Sequence, residues 1–187
     1  MSRVEQVEGD QAPLAAKPFY ANGRPGPIGE TLAQVPELME VALPFIGVSL
    51  GASSVADFRT KELVIVRASA LQECRYCTLT HMAIALDAGV SAEEMTVLRD
   101  APAGEAAAAF ADERDAALLA WTDAMALGAG DIPDDVFAAF ARHFSEPAIV
   151  DLTMTIGTTL MLNRYCTALE LPVAPANMAK LADAGLA

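Results

Sequence analysis

The sequence predicts an all-α fold in a single domain. Apolar residues recur at helical spacing in several segments, and glycine or proline residues separate these segments. The chain of 187 residues is 53% hydrophobic but only 6% aromatic, since most of its apolar side chains are aliphatic. Such a composition favours helices that pack closely together. No segment alternates convincingly between apolar and polar residues, so no strand is predicted.

The N-terminal part of the chain differs in composition from the rest. Four prolines and several glycines interrupt residues 1–30, which are therefore predicted to form an extended arm. Residues 31–187 are predicted to form the helical domain. Its first helix is expected to begin at Pro36, where proline suits the first turn, and to stop before Pro44.

The next three helices have recognisable ends. Thr60 is predicted to cap a helix that continues to about Leu71. A break follows, and a second helix is expected to run from Cys74 to a C-terminal stop at Gly89. The segment Ser91-Ala-Glu-Glu94 fits a capping box at the start of a short third helix.

The second half of the chain continues the helical pattern. Residues 101–108 are rich in alanine and glycine and are predicted to form a linker. Helices are expected over residues 112–127, over residues 132–144 and, as the longest, over residues 145–169. The tail beyond Pro172 is predicted to be only weakly helical.

Charge and cysteine content restrict the classes of function. A net charge of −13 argues against nucleic acid and against an anionic membrane surface as partners, because both need clustered Lys and Arg. We find no signal-peptide pattern and no apolar run long enough to span a bilayer, so a cytoplasmic location is expected. Three cysteines are too few for a disulfide scaffold, and in a reducing compartment a CxxC motif is more often catalytic or metal-binding. The high apolar content also predicts a homo-oligomer.

Four residues form the motif with the clearest chemical meaning, E-x11-C-x2-C-x3-H: Glu62, Cys74, Cys77 and His81. On a helix, residues 74 and 77 have Cα atoms roughly 5 Å apart, which is suitable for a disulfide. His81 lies one turn after Cys77 on the same face, so its imidazole is expected to reach the sulfur. The two cysteines and the histidine are thus predicted to form one stripe along the helix.

This arrangement suits thiol redox chemistry without a cofactor. The positive end of a helix dipole and a nearby histidine both favour a thiolate. If the two helices form a hairpin, Glu62 can face the stripe and accept a proton. Peroxide reduction needs a thiolate that attacks oxygen, a base, and a second thiol that resolves the sulfenic acid.

Other interpretations of the motif remain open. Both cysteines can be ordinary buried residues. A zinc site or metal sensor needs a fourth ligand beside Cys74, Cys77 and His81, and Cys166, His143 or a carboxylate would have to supply it. Because Cys166 lies in a long apolar helix, it is predicted to be a core residue.

Three stretches resemble a known family, the carboxymuconolactone decarboxylase superfamily, and specifically its alkylhydroperoxidase D-like branch. They are KELVIVRASALQECRYCTLTHMAIALDAGVSAEEM, DERDAALLAWTDAMAL and IPDDVFAAFARHFSEPAIVDLTMTIGTTLMLNRYCTAL. The resemblance covers about residues 35–171 and includes all four motif positions.

The resemblance implies a helical bundle that assembles as a homotrimer or a dimer of trimers. It implies that Cys77 is the peroxidatic thiol and Cys74 the resolving thiol, with Glu62 and His81 as a proton relay. The substrate would be a peroxide, and the reductant a lipoyl-bearing partner or another dithiol. On the same scaffold, a lyase or isomerase acting on a small lactone or acid would use His81 and Glu62 alone. A redox sensor is a further alternative.

Overall fold

The computed structural model describes residues 2–128 and 130–186, and in these residues it contains nine α-helices, two short 3₁₀ helices and no strand. The all-α prediction is therefore confirmed. The α-helices are α1 (Gly26–Leu32), α2 (Pro36–Leu50), α3 (Phe58–Leu71), α4 (Arg75–Asp87), α5 (Ala92–Asp100), α6 (Glu113–Leu127), α7 (Asp134–Ala141), α8 (Glu146–Ala168) and α9 (Pro175–Asp183). The 3₁₀ helices are Lys17–Tyr20 and Ala106–Ala109.

Most predicted helix ends agree with the structure, and two differ. Asp57, not Thr60, caps α3, because its carboxylate accepts the Thr60 N–H at 2.7 Å. Helix α2 does not stop before Pro44 but continues through it to Leu50. Pro44 removes one backbone donor, yet this part of α2 is exposed, so water can solvate the carbonyl that loses its partner.

Helix α3 is the centre of the domain and packs against α4, α5, α6 and α8. All residues from Thr60 to Ser69 are buried, including charged ones. Lys61 pairs with Asp151 at 2.8 Å, and Arg67 binds both carboxylate oxygens of Asp123 at 2.7 and 2.8 Å. Since an unpaired buried charge is costly, these pairs specify how α3 is oriented among its neighbours.

The segment predicted to be an extended arm lies against the helical domain. It contains the 3₁₀ helix Lys17–Tyr20 and the first residues of α1. The backbone N–H of Arg3 donates to Leu169 at 2.9 Å, at the end of α8, and Thr31 of α1 bonds the Tyr165 hydroxyl at 2.8 Å. The N-terminal segment therefore covers the C-terminal part of α8.

No helix in the described ranges is long and apolar enough to cross a membrane.

Candidate active site

The turn between α3 and α4 determines where Cys74 lies. Glu73 has a positive φ of 53°, and the Cys74 N–H donates back to Ser69 at 3.0 Å, which ends α3. Cys74 then caps α4, and its Sγ accepts the Cys77 N–H at 3.4 Å. Cys74 is thus the N-cap, whereas the sequence predicted that it would lie on the helix face in one stripe with Cys77 and His81.

Glu62 and His81 form the contact that the predicted hairpin requires. Helices α3 and α4 pack along each other, and His81 Nδ1 lies 3.0 Å from Glu62 Oε2 and 3.3 Å from Oε1. The Glu62 side chain is only 2% exposed and the His81 side chain 17%. The carboxylate holds Nδ1, so Nε2 remains available for proton transfer to other groups.

Cys166 joins the two motif cysteines in one buried cluster. Cys74, Cys77 and Cys166 pack together with Leu171 and are between 1% and 4% exposed. The burial of Cys166 agrees with the prediction of a core residue. Its contact with both motif cysteines is a finding that the sequence did not predict, because periodicity indicates burial without indicating neighbours.

The three thiols differ in how readily they ionise. Hydrogen bonds from the Cys166 and Cys77 thiols, together with the Cys77 N–H, lower the pKa of Cys74 and outweigh its burial. For Cys77, the hydrogen bond with Cys166 lowers the pKa. The hydrogen bond to Cys74 and burial together raise it by more, so the pKa of Cys77 lies above its ordinary value. Hydrogen bonds to Cys74 and Cys77 are the main causes that raise the pKa of Cys166, and burial raises it as well. Of the three thiols, Cys74 is therefore the one whose surroundings favour a thiolate, and its place at the N-terminus of α4 adds the effect of the helix dipole.

Cys77 and His81 line the same apolar cavity, called here the Cys77 cavity, of about 220 Å³. Five aliphatic residues line it, namely Ile28, Ile46, Leu50, Ile65 and Leu162. Six lining residues carry a polar side-chain atom, namely Ser69, Tyr76, Cys77, Thr80, His81 and Thr159. A neighbouring cavity of about 140 Å³ shares Ile28, Ile46 and Leu162 with it and extends the apolar surface.

A second cavity, the Cys166 cavity, of about 420 Å³, is lined by Cys166. It is more polar, with Glu73, Arg75 and Glu170 in its wall beside Cys166. Tyr76 lines both cavities. A larger cavity of about 670 Å³, between Arg59 and residues 109–112, contains none of the predicted site residues.

Asn163 is a further polar residue of the site that the sequence did not predict as such. It is fully buried on α8, its Nδ2 donates to Ser69 Oγ at 2.9 Å, and its hydrogen bond with Cys77 lowers the pKa of that thiol. Asn163 Oδ1 and the Thr80 hydroxyl in the Cys77 cavity have no hydrogen-bond partner among the described residues. Because Thr80 lines the cavity, its hydroxyl can offer a hydrogen bond to a polar group of a bound molecule.

Across residues 2–128 and 130–186, no group of three or more His, Cys, Asp or Glu side chains is arranged to hold a metal ion.

The family model of the carboxymuconolactone decarboxylase family matches residues 36–124 of the chain, which include all four motif positions. No curated protein sequence matches the chain.

Solved structures share the fold. A protein of unknown function from Agrobacterium tumefaciens, described as a candidate antioxidant-defence protein AhpD, is 25% identical, with a TM-score of 0.68 over 77% of this chain and 95% of its own. An uncharacterised peroxidase-related protein from a Silicibacter species is 16% identical, with a TM-score of 0.80 over 94% and 93%. The debrominase Bmp8 is 18% identical, with a TM-score of 0.73 over 96% of both chains, and a variant of Bmp8 was solved with 2,3,4-tribromopyrrole.

Proposed function

From the premise that this chain belongs to the carboxymuconolactone decarboxylase superfamily, in its alkylhydroperoxidase D-like branch, we propose that it is a thiol-dependent peroxidase. One observation carries the proposal. Cys77 and His81 line a single apolar cavity, with Glu62 bonded to His81 and Cys74 packed against Cys77. Each part that peroxide reduction needs is therefore present at one place.

In the first step, Cys77 attacks the terminal oxygen of the hydroperoxide. Because the pKa of Cys77 is raised, this thiol needs a base, and His81, oriented by Glu62, takes its proton. The O–O bond breaks, Cys77 becomes a sulfenic acid, and the departing alkoxide receives the proton from His81 as an alcohol.

In the second step, Cys74 resolves the sulfenic acid. Its pKa is lowered, so it is already a thiolate and needs no base. Cys74 Sγ attacks Cys77 Sγ, the Cys74–Cys77 disulfide forms, and the hydroxide that leaves is protonated to water. Two electrons from a dithiol, either a small molecule or a lipoyl-bearing partner, then restore both thiols.

The cavity favours an organic hydroperoxide over hydrogen peroxide. Aliphatic side chains form much of the wall of the Cys77 cavity, and the neighbouring apolar cavity offers room for a further apolar group. Burying such a group stabilises the complex by about 25 cal/mol per Å² of apolar surface removed from water. Hydrogen peroxide has no group that gains from this surface.

Reductive debromination is a second candidate for the same dithiol. The fold shared with Bmp8 and the apolar character of the cavity favour it. A bromo-organic substrate would take two electrons from Cys74 and Cys77. The Cys77 proton would go to the carbon that loses bromine, and bromide would leave while the disulfide forms. A lyase reaction would leave both cysteines without a role, so we do not favour it.

The test compares the two histidines of the chain. We expect dihydrolipoamide-dependent consumption of cumene hydroperoxide by the wild type, and a loss of kcat/KM of about 10²–10⁴-fold in His81→Ala. His143→Ala is the matched control, since His143 lies outside the site, and should retain the wild-type value. Bromide release from 2,3,4-tribromopyrrole, measured with the same reductant, tests the second candidate. Equal rates in His81→Ala and wild type would contradict the proposal.

A further inference from the structure

Cys166 lies between the redox pair and a cavity that the proposed reaction does not use. Cys166 packs against Cys74 and Cys77 and also lines the Cys166 cavity. Among the described residues, the wall of that cavity contains neither Cys74 nor Cys77. A molecule in the Cys166 cavity therefore meets Cys166 before it can meet either member of the pair.

The two cavities differ in size and in chemistry. The Cys77 cavity is smaller and largely apolar, whereas the Cys166 cavity is about 420 Å³ and has Glu73, Arg75 and Glu170 in its wall. Tyr76 lines both, but Cys77 lines only the first and Cys166 only the second. Two such cavities suit two reactants of different polarity that reach different cysteines of the same cluster.

The backbone at the Cys166 cavity is itself unusual. Glu73 and Glu170 both have positive φ, 53° and 52°, at the ends of α3 and α8. A non-glycine residue in this conformation costs of order 1 kcal/mol or more, and such strain clusters at functional sites. Cys74 directly follows the turn at Glu73, and the turn at Glu170 ends α8 shortly after Cys166, where the Leu171 N–H donates to the Cys166 carbonyl at 3.0 Å.

We propose that Cys166 is a third redox thiol, through which a dithiol reductant in the Cys166 cavity returns electrons to the Cys74–Cys77 pair. This inference rests on the proposed function for the source of the Cys74–Cys77 disulfide. The reductant would then enter through the Cys166 cavity, whereas the substrate enters the Cys77 cavity.

The exchange is balanced without any further oxidant. The Cys166 thiolate attacks Cys77 Sγ, the Cys77–Cys166 disulfide forms, and Cys74, the thiol with the lowered pKa, leaves as a thiolate. The proton given up by Cys166 goes to solvent. A dithiol in the Cys166 cavity then attacks Cys166 Sγ, and its second sulfur closes a disulfide within the reductant. Two protons from the dithiol return to Cys77 and Cys166.

Oxidation of the pair makes Cys166 easier to ionise. In the reduced cluster, hydrogen bonds to Cys74 and Cys77 are the two largest causes that raise the pKa of Cys166. In the disulfide, neither sulfur carries a negative charge, so the thiol proton of Cys166 loses its acceptor. Cys166 is therefore a poor nucleophile in the reduced protein and a better one after turnover.

The experiment separates the reductive half of the cycle from peroxide chemistry. The full chain is oxidised with diamide, which forms disulfides without a peroxide, and the disulfides are mapped by mass spectrometry after acid quench and alkylation. The rate of reduction by dihydrolipoamide is then measured in wild type, Cys166→Ala and Cys166→Ser. Thr122→Ala, a truncation at a buried residue of α6 that lines neither cavity, controls for loss of stability.

We expect both Cys74–Cys77 and Cys77–Cys166 disulfides in the wild type. We also expect reduction to slow at least about tenfold in both Cys166 variants and to stay within about twofold in Thr122→Ala. The proposal requires both results, so absence of the Cys77–Cys166 disulfide, or an unchanged rate of reduction in the Cys166 variants, overturns it. If the diamide experiment gives both results while the wild type fails to consume cumene hydroperoxide, the relay stands and the peroxidase function is wrong.

Discussion

At the scale of single residues, the two motif cysteines do different work because their surroundings differ. Cys74 caps α4 and receives hydrogen bonds from two thiols and one N–H, whereas Cys77 faces the cavity beside His81. In the proposed mechanism, Cys74 is the thiolate of the reduced protein because its pKa is lowered, and Cys77 is the thiol that meets substrate because it lines the cavity. The base is thus placed beside the thiol that needs one.

The lowered pKa of Cys74 predicts a thiolate at a pH where an ordinary cysteine is protonated. One thiolate per reduced chain should persist well below the usual thiol pKa of ~8.5 and should disappear in Cys74→Ser. In Cys166→Ala the midpoint of the thiolate titration should move to higher pH, since the hydrogen bond from Cys166 is the largest cause of the lowered pKa of Cys74. Ultraviolet thiolate absorbance against pH measures both. A midpoint in Cys74→Ser equal to that of wild type would assign the thiolate elsewhere.

Glu62→Gln should slow thiolate formation at Cys77 without removing either sulfur. An amide cannot stabilise the imidazolium that forms when His81 takes the proton, so peroxide consumption at neutral pH should fall. As the pH rises towards about 8.5, more Cys77 ionises without help, and part of the rate should return. Rates of cumene hydroperoxide consumption across this range test the prediction. If Glu62→Gln matched wild type at neutral pH, the carboxylate would only hold α3 and α4 together.

At the scale of helices, the sequence predicts helix ends well where a side chain forms a hydrogen bond with the backbone of a nearby residue. The capping box of Ser91 and Glu94 is present, with the Ser91 N–H donating to Glu94 Oε2 at 2.8 Å. Gly89 has the positive φ expected at a helix stop. The start of α3 was assigned to Thr60, although Asp57 is at least as good a cap and lies three residues earlier.

Contacts between distant helices are what the sequence could not predict. The contact of Glu62 with His81 joins two helices that are neighbours in the chain, and the sequence predicts that Glu62 can face the stripe of His81 if these helices form a hairpin. The meeting of Cys166, Asn163 and Ile28 with Cys77 depends on how α1 and α8 pack against α4. Periodicity shows that such residues are buried, but neighbours from remote segments are determined by the whole fold.

The cap of α3 gives a prediction for the element that holds Glu62. Asp57→Ala should lower the free energy of unfolding by about 1 kcal/mol at neutral pH. The pKa of Asp57 is lowered, chiefly by its hydrogen bond from the Thr60 backbone, so its folded value lies below the unfolded one. Its stabilisation is therefore complete above the unfolded pKa of about 3.9 and is lost as the pH falls through the folded value.

Urea unfolding at neutral and acidic pH, followed by circular dichroism, tests this. The difference between wild type and Asp57→Ala should shrink in acid. Asp10→Ala, at an exposed position outside the helices, is the control and should change stability by less than about 0.5 kcal/mol. A difference that grew in acid would contradict the assigned direction of the pKa.

At the scale of the whole molecule, helices α2 and α8 present an apolar surface, called here the α2–α8 face. On α2, Leu38, Val41, Phe45 and Val48 follow one another at helical spacing and are 44–77% exposed. On α8, Val150, Met154 and Met161 are at least half exposed, and the two helices pack against each other. Exposed apolar patches of this kind mark interfaces, and identical chains present identical patches.

We therefore expect a homo-oligomer whose subunits meet through the α2–α8 face, as a trimer or a dimer of trimers of the 19.6 kDa chain. The double variant Val41→Glu/Val48→Glu should dissociate it, because buried unpaired carboxylates are costly. Leu127→Glu, at an exposed position on α6, is the matched control and should keep the oligomer. Light scattering gives the masses, and a monomeric wild type at micromolar concentration would rule out the interface.

The central claim is that Cys77 reduces a hydroperoxide and that Cys74 then forms a disulfide with it, and a single turnover tests this most directly. Reduced wild type without reductant should convert one equivalent of cumene hydroperoxide to its alcohol, and the denatured chain should then show one titratable thiol instead of three. In Cys74→Ser/Cys166→Ala, which has no second thiol, a dimedone-type reagent should label Cys77 as sulfenic acid. The account would be contradicted if the wild type left its thiols and the hydroperoxide unchanged. It would also be contradicted if Cys77→Ser/Cys166→Ala consumed peroxide at the wild-type rate and was labelled on Cys74.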